Sequence, residues 1–431
     1  MRLVGKNVVI YGAGISGLAA YELVREKGAK AIIYDDDATA EHATSSKGVF
    51  DGADVIVLSP GVDADKDFLL DARLDNTLVI SELSLASKLC DAEQIAITGT
   101  NGKTTTTMLI DYILKRAGLH SHAVGNIGVP FCSIADKLDA TEIAVIEASS
   151  FQLENSPDFS PEVSVLLNIA PDHLSRHKTM QNYINAKANI LRSQSEQDIA
   201  VYNADDEIIA GIIEQTSAKK VPFSIERIVK DGAYLSSGFA CYKGRPVVAL
   251  DEIDFKDKEV QNVLASIAVC MEKGVSAFCV ASAITDFAKP RYRREFTAKI
   301  RGISVYNDSK STNVSACLCA CESVEDCVLI LGGQKGEEDF DKLFSDMPAG
   351  VKGFVACGEN ADDIYAEAKG NGFEVSVRES LADALDCALK KAEEAGVKNV
   401  LFSPASKSFD KYKNFEERGR VFDAVAKKLA R

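Results

Sequence analysis

The sequence contains no apolar run as long as a membrane span, so we expect no membrane insertion. It also shows no signal peptide ahead of the first strand pattern. The sequence has fewer basic than acidic residues, with 49 lysines and arginines against 64 aspartates and glutamates, which gives a net charge of −15. Such a charge repels phosphates, and nucleic acid is therefore not an expected partner. Together these features predict a cytoplasmic protein.

No pair of the eleven cysteines has the Cys-x-x-Cys spacing typical of a metal or redox site. This usage indicates free thiols in a reducing compartment. Cys317, Cys319 and Cys321 lie two residues apart, in a segment at residues 315–324 that is predicted to be helical. We therefore expect the three thiols to point to different sides of the helix and not to bind a metal ion.

Strands and helices alternate along the 431 residues, which predicts an α/β fold with mostly parallel sheets. At about 150 residues per domain, this length corresponds to three domains. The alternating pattern restarts near Lys88 and near Lys289-Pro290. We therefore predict domains at residues 1–88, 89–289 and 290–431.

A first glycine-rich motif, Gly-Ala-Gly-Ile-Ser-Gly at residues 12–17, lies between a predicted strand and a predicted helix. Its glycines allow a tight turn and let a phosphate approach the helix N-terminus. Asp35 follows the next predicted strand, where an acidic side chain can bind a ribose hydroxyl. The motif favours a nucleotide or dinucleotide site over mere tight packing, and it does not say which nucleotide binds.

A second glycine loop follows the apolar strand at residues 95–97 and continues to residue 105 as Thr-Gly-Thr-Asn-Gly-Lys-Thr-Thr. Backbone N–H groups of such a loop surround phosphates, Lys103 supplies positive charge to them, and the Thr104 hydroxyl can bind Mg²⁺. Ile97 replaces the usual first glycine, but the strand–loop–helix context favours an ATP site over a chance turn. Glu147 ends a later apolar strand, where phosphate-loop enzymes place a metal-binding carboxylate.

Two isolated polar residues each allow a structural and a functional interpretation. The apolar positions of the predicted helix at residues 178–193 form one stripe, and Lys187 lies within it. A buried lysine pairs with an anion or loses its proton, whereas a lysine that buries only its stem is ordinary. His173 is one of only five histidines, and a lone histidine is more often structural than a ligand.

Three polar segments follow predicted strands in the C-terminal third, at residues 307–313, 332–336 and 403–410. Each could bind an anion or face the ATP site, although each alone is more often a polar turn.

Taken together, the motifs resemble the Mur ligase family of bacterial cell-wall enzymes over nearly the whole chain. The family's motifs match, in order, residues 98–105, 125–128, 147–153, 172–173 and 307–313. Within the family, three segments look like the member that adds D-glutamate: the first glycine motif, Ser-Pro-Gly at 59–61 and residues 408–419. The resemblance implies a Rossmann-like N-terminal domain, a central phosphate-loop ATPase domain with a mostly parallel sheet, and a Rossmann-like C-terminal domain.

The resemblance implies an ATP-dependent ligase that forms an amide bond through an acyl phosphate. ATP would be bound by Gly99, Thr100, Asn101, Gly102, Lys103, Thr104, Thr105, Asn262, Arg293 and Asp308. Two Mg²⁺ ions would be bound by Thr104, Glu147, His173 and Lys187, the last of them carbamylated. The catalytic residues would be Lys103, Glu147, His173, Lys187, Asp308 and Lys310.

The substrates that the resemblance implies are UDP-N-acetylmuramoyl-L-alanine and D-glutamate, and we expect a monomer. The UDP-linked substrate would contact Ile15, Ser16, Asp35, Gly61, Asn126 and His173. D-Glutamate would contact Thr312, Lys335, Ser408 and Phe415.

The sequence departs from the family's motifs at three places. Of the family's element Gly-x-His-Asn-x-x-Asn, this sequence keeps only Asn262. Tyr292 replaces the histidine of the family's His-Arg-x-Glu. In the loop at residues 332–336, Lys335 lies one position before the place where the family has its lysine. These departures leave three alternatives open: another Mur-type ligase, a folylpolyglutamate-type ligase, or a regulatory paralogue with weakened catalysis. A nicotinamide oxidoreductase would leave Lys103 and Lys187 without a role, and a phosphate-loop switch protein should carry an Asn-Lys-x-Asp signature, which is absent.

Overall fold

The computed structural model describes residues 1–37, 42–62, 66, 69, 77–324, 326–336 and 338–430, without the side chains of residues 175 and 257. The chain divides into two compact units, Met1–Ile169 with Arg176–Phe287, and Ala170–Ser175 with Ala288–Arg431. Two sheets lie in the first unit and one in the second, and the predicted α/β class is confirmed. The limits of the three predicted domains remain a prediction. In the described part of the chain, no helix is long and apolar enough to cross a membrane.

The first sheet has four parallel strands in the order β2-β1-β3-β4. The strands are β1 Asn7–Tyr11, β2 Lys30–Tyr34, β3 Val55–Leu58 and β4 Leu78–Ser81. Helix α1, Ile15–Glu26, connects β1 to β2, and α2, Glu82–Leu89, follows β4. All of β3 is buried and apolar, as a parallel strand covered on both faces requires.

The second sheet has nine strands in the order β13-β12-β11-β10-β9-β8-β5-β7-β6. The strands are β5 Glu93–Thr98, β6 His120–Gly125, β7 Glu142–Glu147, β8 Val163–Leu166, β9 Ile199–Asn203, β10 Lys219–Ser224, β11 Ala233–Ser236, β12 Phe239–Tyr242 and β13 Arg245–Ala249. The associated helices are α3 Lys103–Arg116, α4 Ser150–Glu154, α5 Leu174–His177, α6 Met180–Arg192, α7 Glu207–Ile212, α8 Val260–Glu272 and α9 Ala277–Asp286.

The third sheet, in the second unit, has six strands in the order β14-β15-β19-β16-β17-β18. The strands are β14 Glu295–Ile300, β15 Ile303–Asn307, β16 Cys327–Leu331, β17 Val351–Cys357, β18 Val375–Arg378 and β19 Asn399–Phe402. The helices are α10 Val314–Ser323, α11 Phe340–Ser345, α12 Ala361–Gly370, α13 Leu381–Ala395 and α14 Phe415–Leu429. Short 3₁₀ turns lie at Lys47–Phe50, Phe131–Ser133, Ala135–Lys137, Ile213–Gln215, Leu250–Glu252 and Asp257–Glu259.

Two edges of these sheets are antiparallel, which the alternating pattern did not predict. Strands β11, β12 and β13 form consecutive hairpins, and β14 pairs with β15 in the same way. The three connections are two-residue loops in which both residues have positive φ: Ser237-Gly238, Lys243-Gly244 and Arg301-Gly302. This backbone matches the twist of a hairpin, and glycine at the second position accepts it without strain.

The cysteines of α10 do not all point to different sides. Cys317 and Cys321 are both buried on one face, one helical turn apart, whereas Cys319 is half-buried. The expectation was wrong for this pair, because residues i and i+4 share a face of a helix. Among the described residues, no group of three or more histidine, cysteine, aspartate or glutamate side chains is placed to hold a metal ion.

The first glycine motif provides a test of the packing of the first unit. A Cβ atom on Gly17 would lie 1.9 Å from the Gly12 carbonyl oxygen, whereas one on Gly14 would have no atom within 4 Å. We expect Gly17→Ala to destabilise the protein by about 1–3 kcal/mol, the usual cost of overpacking. Gly14→Ala is the matched control and should unfold like the wild type. Urea unfolding followed by circular dichroism measures both, and equal midpoints for the two variants would contradict this packing.

Candidate active site

The second glycine loop connects β5 to the N-terminus of α3, and its shape depends on Gly102. This residue has a φ of +86°, in the left-handed region that favours glycine. A Cβ atom there would also lie 2.2 Å from Asn262 Oδ1. Asn262 is therefore packed directly against the loop, where its Oδ1 also accepts a hydrogen bond from Thr106 Oγ1 at 3.3 Å.

Asn168 fixes the conformation of this loop. Its Oδ1 accepts from the Asn101 N–H at 2.8 Å, its Nδ2 donates to the Asn101 carbonyl at 3.1 Å, and its own carbonyl accepts from the Thr100 N–H at 2.8 Å. The sequence analysis did not single out this residue, which lies two positions beyond the end of β8 at Leu166. A polar residue just past the carboxyl end of a neighbouring parallel strand was the available signal.

Two lysines donate to the same carbonyl oxygen of the loop. Lys103 Nζ donates to Gly99 O at 2.6 Å and to Thr100 O at 2.8 Å. Lys187 Nζ donates to Gly99 O at 2.8 Å. The Lys187 side chain is 1% exposed, so the alternative in which only its stem is buried is wrong. The two ammonium groups therefore lie close together at the mouth of the loop.

Tyr183 connects Lys187 to the glycine loop. Its ring centroid lies 4.7 Å from Lys187 Nζ, and its hydroxyl lies 3.0 Å from Thr100 Oγ1. Both residues belong to the buried stripe of α6, as the helical pattern predicts. The amine of Lys187 is thus held by an aromatic face on one side and by the loop backbone on another.

Glu147 ends β7 beside the glycine loop, because the strand register pairs it with Ile97 of β5. Its side chain is buried, and Oε1 accepts a hydrogen bond from Asn126 Nδ2 at 2.9 Å. Oε2 is buried and has no hydrogen-bond partner among the described residues. A carboxylate oxygen in this situation is costly, and a divalent cation would satisfy it. The donor set therefore fits Mg²⁺.

His177 lies behind this region and was not among the predicted residues. Its Nε2 is 3.0 Å from Ser150 Oγ, and its ring stacks on Phe151 with centroids 5.4 Å apart. Burial lowers the pKa of His177, the Glu154 carboxylate opposes this change, and the charge of Arg176 adds to it. Its place four residues after His173 was the only signal in the sequence.

In the first sheet, Asp35 shapes the turn of the first glycine motif. Its Oδ2 accepts from the Ala13 N–H at 2.7 Å and its Oδ1 from the Asp37 N–H at 2.9 Å. Ile15 and Gly61 are exposed and Ser16 is half-buried, so these predicted contact residues are accessible to a ligand.

In the second unit, Asp308 is buried between a serine and the chain that precedes β14. Its Oδ2 accepts from Ser403 Oγ at 2.7 Å and its Oδ1 from the Arg294 N–H at 3.1 Å. Burial raises the pKa of Asp308 to about 6, against the Ser403 hydrogen bond and the charges of Arg294 and Arg293. Lys310, two residues later, places its Nζ 3.9 Å from the ring centroid of Phe415.

The other predicted residues of the second unit differ in their surroundings. Ser408 is buried and Thr312 is half-buried. Lys335 is 60% exposed and forms an ion pair of 2.8 Å with Asp363. His173 has a φ of +55°, and its Nδ1 lies 3.7 Å from Asp172 Oδ1.

Arg418 is a buried cation that the sequence did not single out. It donates to Ser309 Oγ at 3.0 Å, to Ser309 O at 2.9 Å and to Lys407 O at 3.1 Å. Burial lowers the pKa of Arg418 to about 10. The guanidinium thereby joins the segment that carries Asp308 and Lys310 to the segment that carries Ser408.

Comparison with known proteins shows the family of this chain. Residues 97–270 match the Mur ligase middle domain, and residues 292–405 match the Mur ligase glutamate ligase domain. The UDP-N-acetylmuramoylalanine--D-glutamate ligase of Alkaliphilus oremlandii is 36% identical, with 100% of both chains covered. The chain belongs to the Mur ligase family. The ligase of the same name from Acidobacterium capsulatum is 37% identical, over 98% of this chain and 96% of the relative.

Solved structures of Mur ligases share this fold. The UDP-N-acetylmuramate-alanine ligase of Thermotoga maritima has a TM-score of 0.63 at 18% identity and covers 98% of this chain and 100% of its own. The MurF ligase of the same organism, in complex with ADP, has a TM-score of 0.61 at 15% identity, over 99% and 96% of the two chains. The resemblance drawn from the motifs is confirmed, while the role of each site residue remains a prediction.

The hydrogen bonds by which Asn168 fixes the glycine loop of this Mur ligase can be tested by mutation. Asn168→Ala removes two hydrogen bonds to Asn101, each worth about 0.5–1.5 kcal/mol. We expect the KM for ATP to rise about tenfold, since 1.4 kcal/mol corresponds to a factor of ten. Asn371→Ala is the control, because it removes comparable bonds on the surface of the second unit. Initial rates of phosphate release measure both variants, and an unchanged KM for ATP in Asn168→Ala would show that these hydrogen bonds are dispensable for ATP binding.

Proposed function

We propose that this protein is an ATP-dependent ligase that joins D-glutamate to UDP-N-acetylmuramoyl-L-alanine in peptidoglycan precursor synthesis. The observation that carries the proposal is the glycine loop with Lys103 and the buried Lys187 at its mouth. The full-length relatives named for this reaction support the choice of substrates.

The glycine loop binds the phosphates of ATP. Lys103 Nζ now donates to two loop carbonyls, and a phosphate oxygen is a stronger acceptor because its hydrogen bond is charge-assisted. Backbone N–H groups at the start of α3 face the same anion. Asn262 supports the loop from behind at Gly102.

Glu147, Thr104 and a carbamylated Lys187 would hold Mg²⁺, and the family resemblance adds His173 and a second ion. The unsatisfied Oε2 of Glu147 supports this assignment. When bound, the metal would neutralise negative charge on the phosphates during phosphoryl transfer. A lysine buried beside a second ammonium group favours its neutral amine, which can react with CO₂ to give an anionic carbamate.

The reaction activates a carboxylate, because its oxygens are poor leaving groups. A carboxylate oxygen of the muramoyl substrate attacks the γ-phosphorus of ATP, the bond to ADP breaks, and an acyl phosphate forms. The amine of D-glutamate then attacks the acyl carbon, phosphate leaves, and the nitrogen loses a proton. Lys103 balances the negative charge of the phosphates during the first step. The family resemblance assigns Lys310 and Asp308 to the ATP phosphates and the acyl group.

D-Glutamate binds to the second unit through Ser408, Thr312, Phe415 and Lys335. A dianionic amino acid needs donors for two carboxylates, and Ser408 and Thr312 provide hydroxyl groups. Lys335 contributes only if a substrate carboxylate replaces Asp363 as its partner. The UDP-linked substrate binds at Ile15, Ser16, Asp35 and Gly61, with Asn126 and His173 along its length.

The function is tested by phosphate release with ATP, Mg²⁺, UDP-N-acetylmuramoyl-L-alanine and one amino acid at a time. We expect turnover with D-glutamate and about 10⁴-fold less with L-alanine, because a smaller acceptor leaves buried polar groups unpaired. L-Glutamate and meso-diaminopimelate complete the set. Lys103→Ala should lower kcat with D-glutamate at least about 100-fold. Comparable turnover with L-alanine or meso-diaminopimelate would overturn the choice of acceptor.

The carbamate is tested by a direct spectroscopic signal. Protein equilibrated with ¹³C-bicarbonate should show a ¹³C carbamate resonance that Lys187→Ala lacks. The same variant should be nearly inactive and partly rescued by acetate or formate, which replace the lost anion. Lys137→Ala, at a surface lysine, is the control and should keep both the resonance and the activity. An active wild-type protein without the resonance would exclude the carbamate.

A further inference from the structure

Glu82, the first residue of α2, is a buried carboxyl group that the reaction described above does not use. It is 1% exposed. Oε1 accepts a hydrogen bond from the Cys132 N–H at 3.1 Å, while Oε2 has no hydrogen-bond partner within the described ranges. Burial raises the pKa of Glu82, and its contacts with Cys132 and the Gln152 side chain oppose that rise. A carboxyl group in these surroundings favours its uncharged form.

The two contacts of Glu82 lie on segments that begin at the candidate active site. Cys132 is in the 3₁₀ turn Phe131–Ser133, a few residues beyond Asn126. Gln152 is in α4, a few residues beyond Glu147. Asn126 and Glu147 are themselves joined by the 2.9 Å hydrogen bond described above. Glu82 contacts the first segment through the Cys132 N–H, and its helix α2 packs against α4 of the second segment.

Helix α2 has an independent attachment to the rest of the first unit. Ser81 Oγ lies 2.5 Å from Ser156 Oγ, Ser84 Oγ donates to Asp158 Oδ1 at 2.9 Å, and Lys88 Nζ pairs with Asp158 Oδ2 at 2.7 Å. Loss of the Glu82 side chain would thus leave the helix in place. Its specific effect falls on the segment that carries Asn126, because the Glu147 segment is also attached to α2 through Ser156 and Asp158.

We propose that Glu82 is a positioning residue that holds the segment of Asn126, and with it the hydrogen bond from Asn126 to Glu147, in the arrangement that binds the UDP-linked substrate. It does so through Oε1, which accepts the Cys132 N–H. The identity of the substrate rests on the proposed function, whereas the contacts of Glu82 do not.

Three variants separate this role from general stability. Glu82→Ala removes the acceptor of the Cys132 N–H, while Glu82→Gln keeps an oxygen acceptor in an uncharged side chain. Glu162→Ala is the control for loss of a carboxyl group that accepts a backbone N–H, because Glu162 Oε2 accepts the Gln94 N–H at 2.8 Å, at the amino end of β5. Unlike Glu82, Glu162 is exposed, so water can replace its side chain.

The kinetic test compares the KM values of the three substrates. In Glu82→Ala we expect the KM for UDP-N-acetylmuramoyl-L-alanine to rise about tenfold, the effect of one buried N–H left without an acceptor. The KM values for ATP and D-glutamate, and kcat, should stay within about threefold. Glu82→Gln and Glu162→Ala should match the wild type. An unchanged KM for the UDP substrate in an active Glu82→Ala protein would overturn the inference while the proposed function stands.

Hydrogen–deuterium exchange gives a readout that needs no activity. Peptides covering residues 126–134 should exchange about tenfold faster in Glu82→Ala, the effect of about 1.4 kcal/mol, and at the wild-type rate in Glu82→Gln. Equal exchange in Glu82→Ala and the wild type would overturn the inference. If the wild type fails to turn over UDP-N-acetylmuramoyl-L-alanine, the proposed function fails, and the exchange rates still decide whether Glu82 holds this segment.

The uncharged state is tested by the pH dependence of stability. The folded protein favours protonated Glu82, so ionisation of this residue in the unfolded chain lowers stability as pH rises above about 4. Glu82→Gln lacks this loss, and its Tm relative to the wild type should increase from pH 4 to pH 7. Around Glu82 lie Cys132, whose pKa burial also raises, and beyond it the ion pair of Asp136 with Lys27. A Tm difference independent of pH would refute the uncharged state.

Discussion

The carbonyl oxygen of Gly99 accepts hydrogen bonds from both Lys103 and Lys187. This carbonyl brings the two lysine side chains to one point, so an anion that reaches the loop lies beside the positive charge of Lys103. Asn168 fixes the loop backbone, and Tyr183 contacts both the loop and the Lys187 side chain. In the proposed reaction the anion at this point is an ATP phosphate, and carbamylation would convert Lys187 itself into an anionic ligand.

A buried cation organises the second unit in a comparable way. Arg418 hydrogen-bonds to a hydroxyl group and two carbonyls, and these partners belong to segments that carry Lys310 and Ser408. With a pKa of about 10, it stays charged at neutral pH. Lys335, the predicted carboxylate contact of D-glutamate, pairs with Asp363. Arg418 thus provides a fixed buried positive charge beside the segment of Ser408, independently of the position of Lys335.

The sequence predicts the parts of this structure that depend on neighbours along the chain. Apolar runs predicted the parallel strands, and the stripe of α6 identified Lys187, although it left open whether the whole side chain or only its stem is buried. The hairpin loops, such as Lys243-Gly244, also carried a local signal, which the alternating pattern obscured. Arg418 could not be found in this way, and the position of Asn168 just past a strand does not reveal what it contacts. Their partners Asn101 and Ser309 lie 67 and 109 positions away, and only the fold brings them together.

The second unit is discontinuous, because it includes Ala170–Ser175 as well as Ala288–Arg431. A ribosome adds about 5–20 residues per second, so the short segment waits many seconds for the rest of its unit to be synthesised. During that interval Asp172 lacks Asn313, whose Nδ2 donates to it at 3.0 Å in the folded protein. For the same reason, a single proteolytic cut between Phe287 and Ala288 divides the second unit between two polypeptides, with Ala170–Ser175 and its His173 on the first.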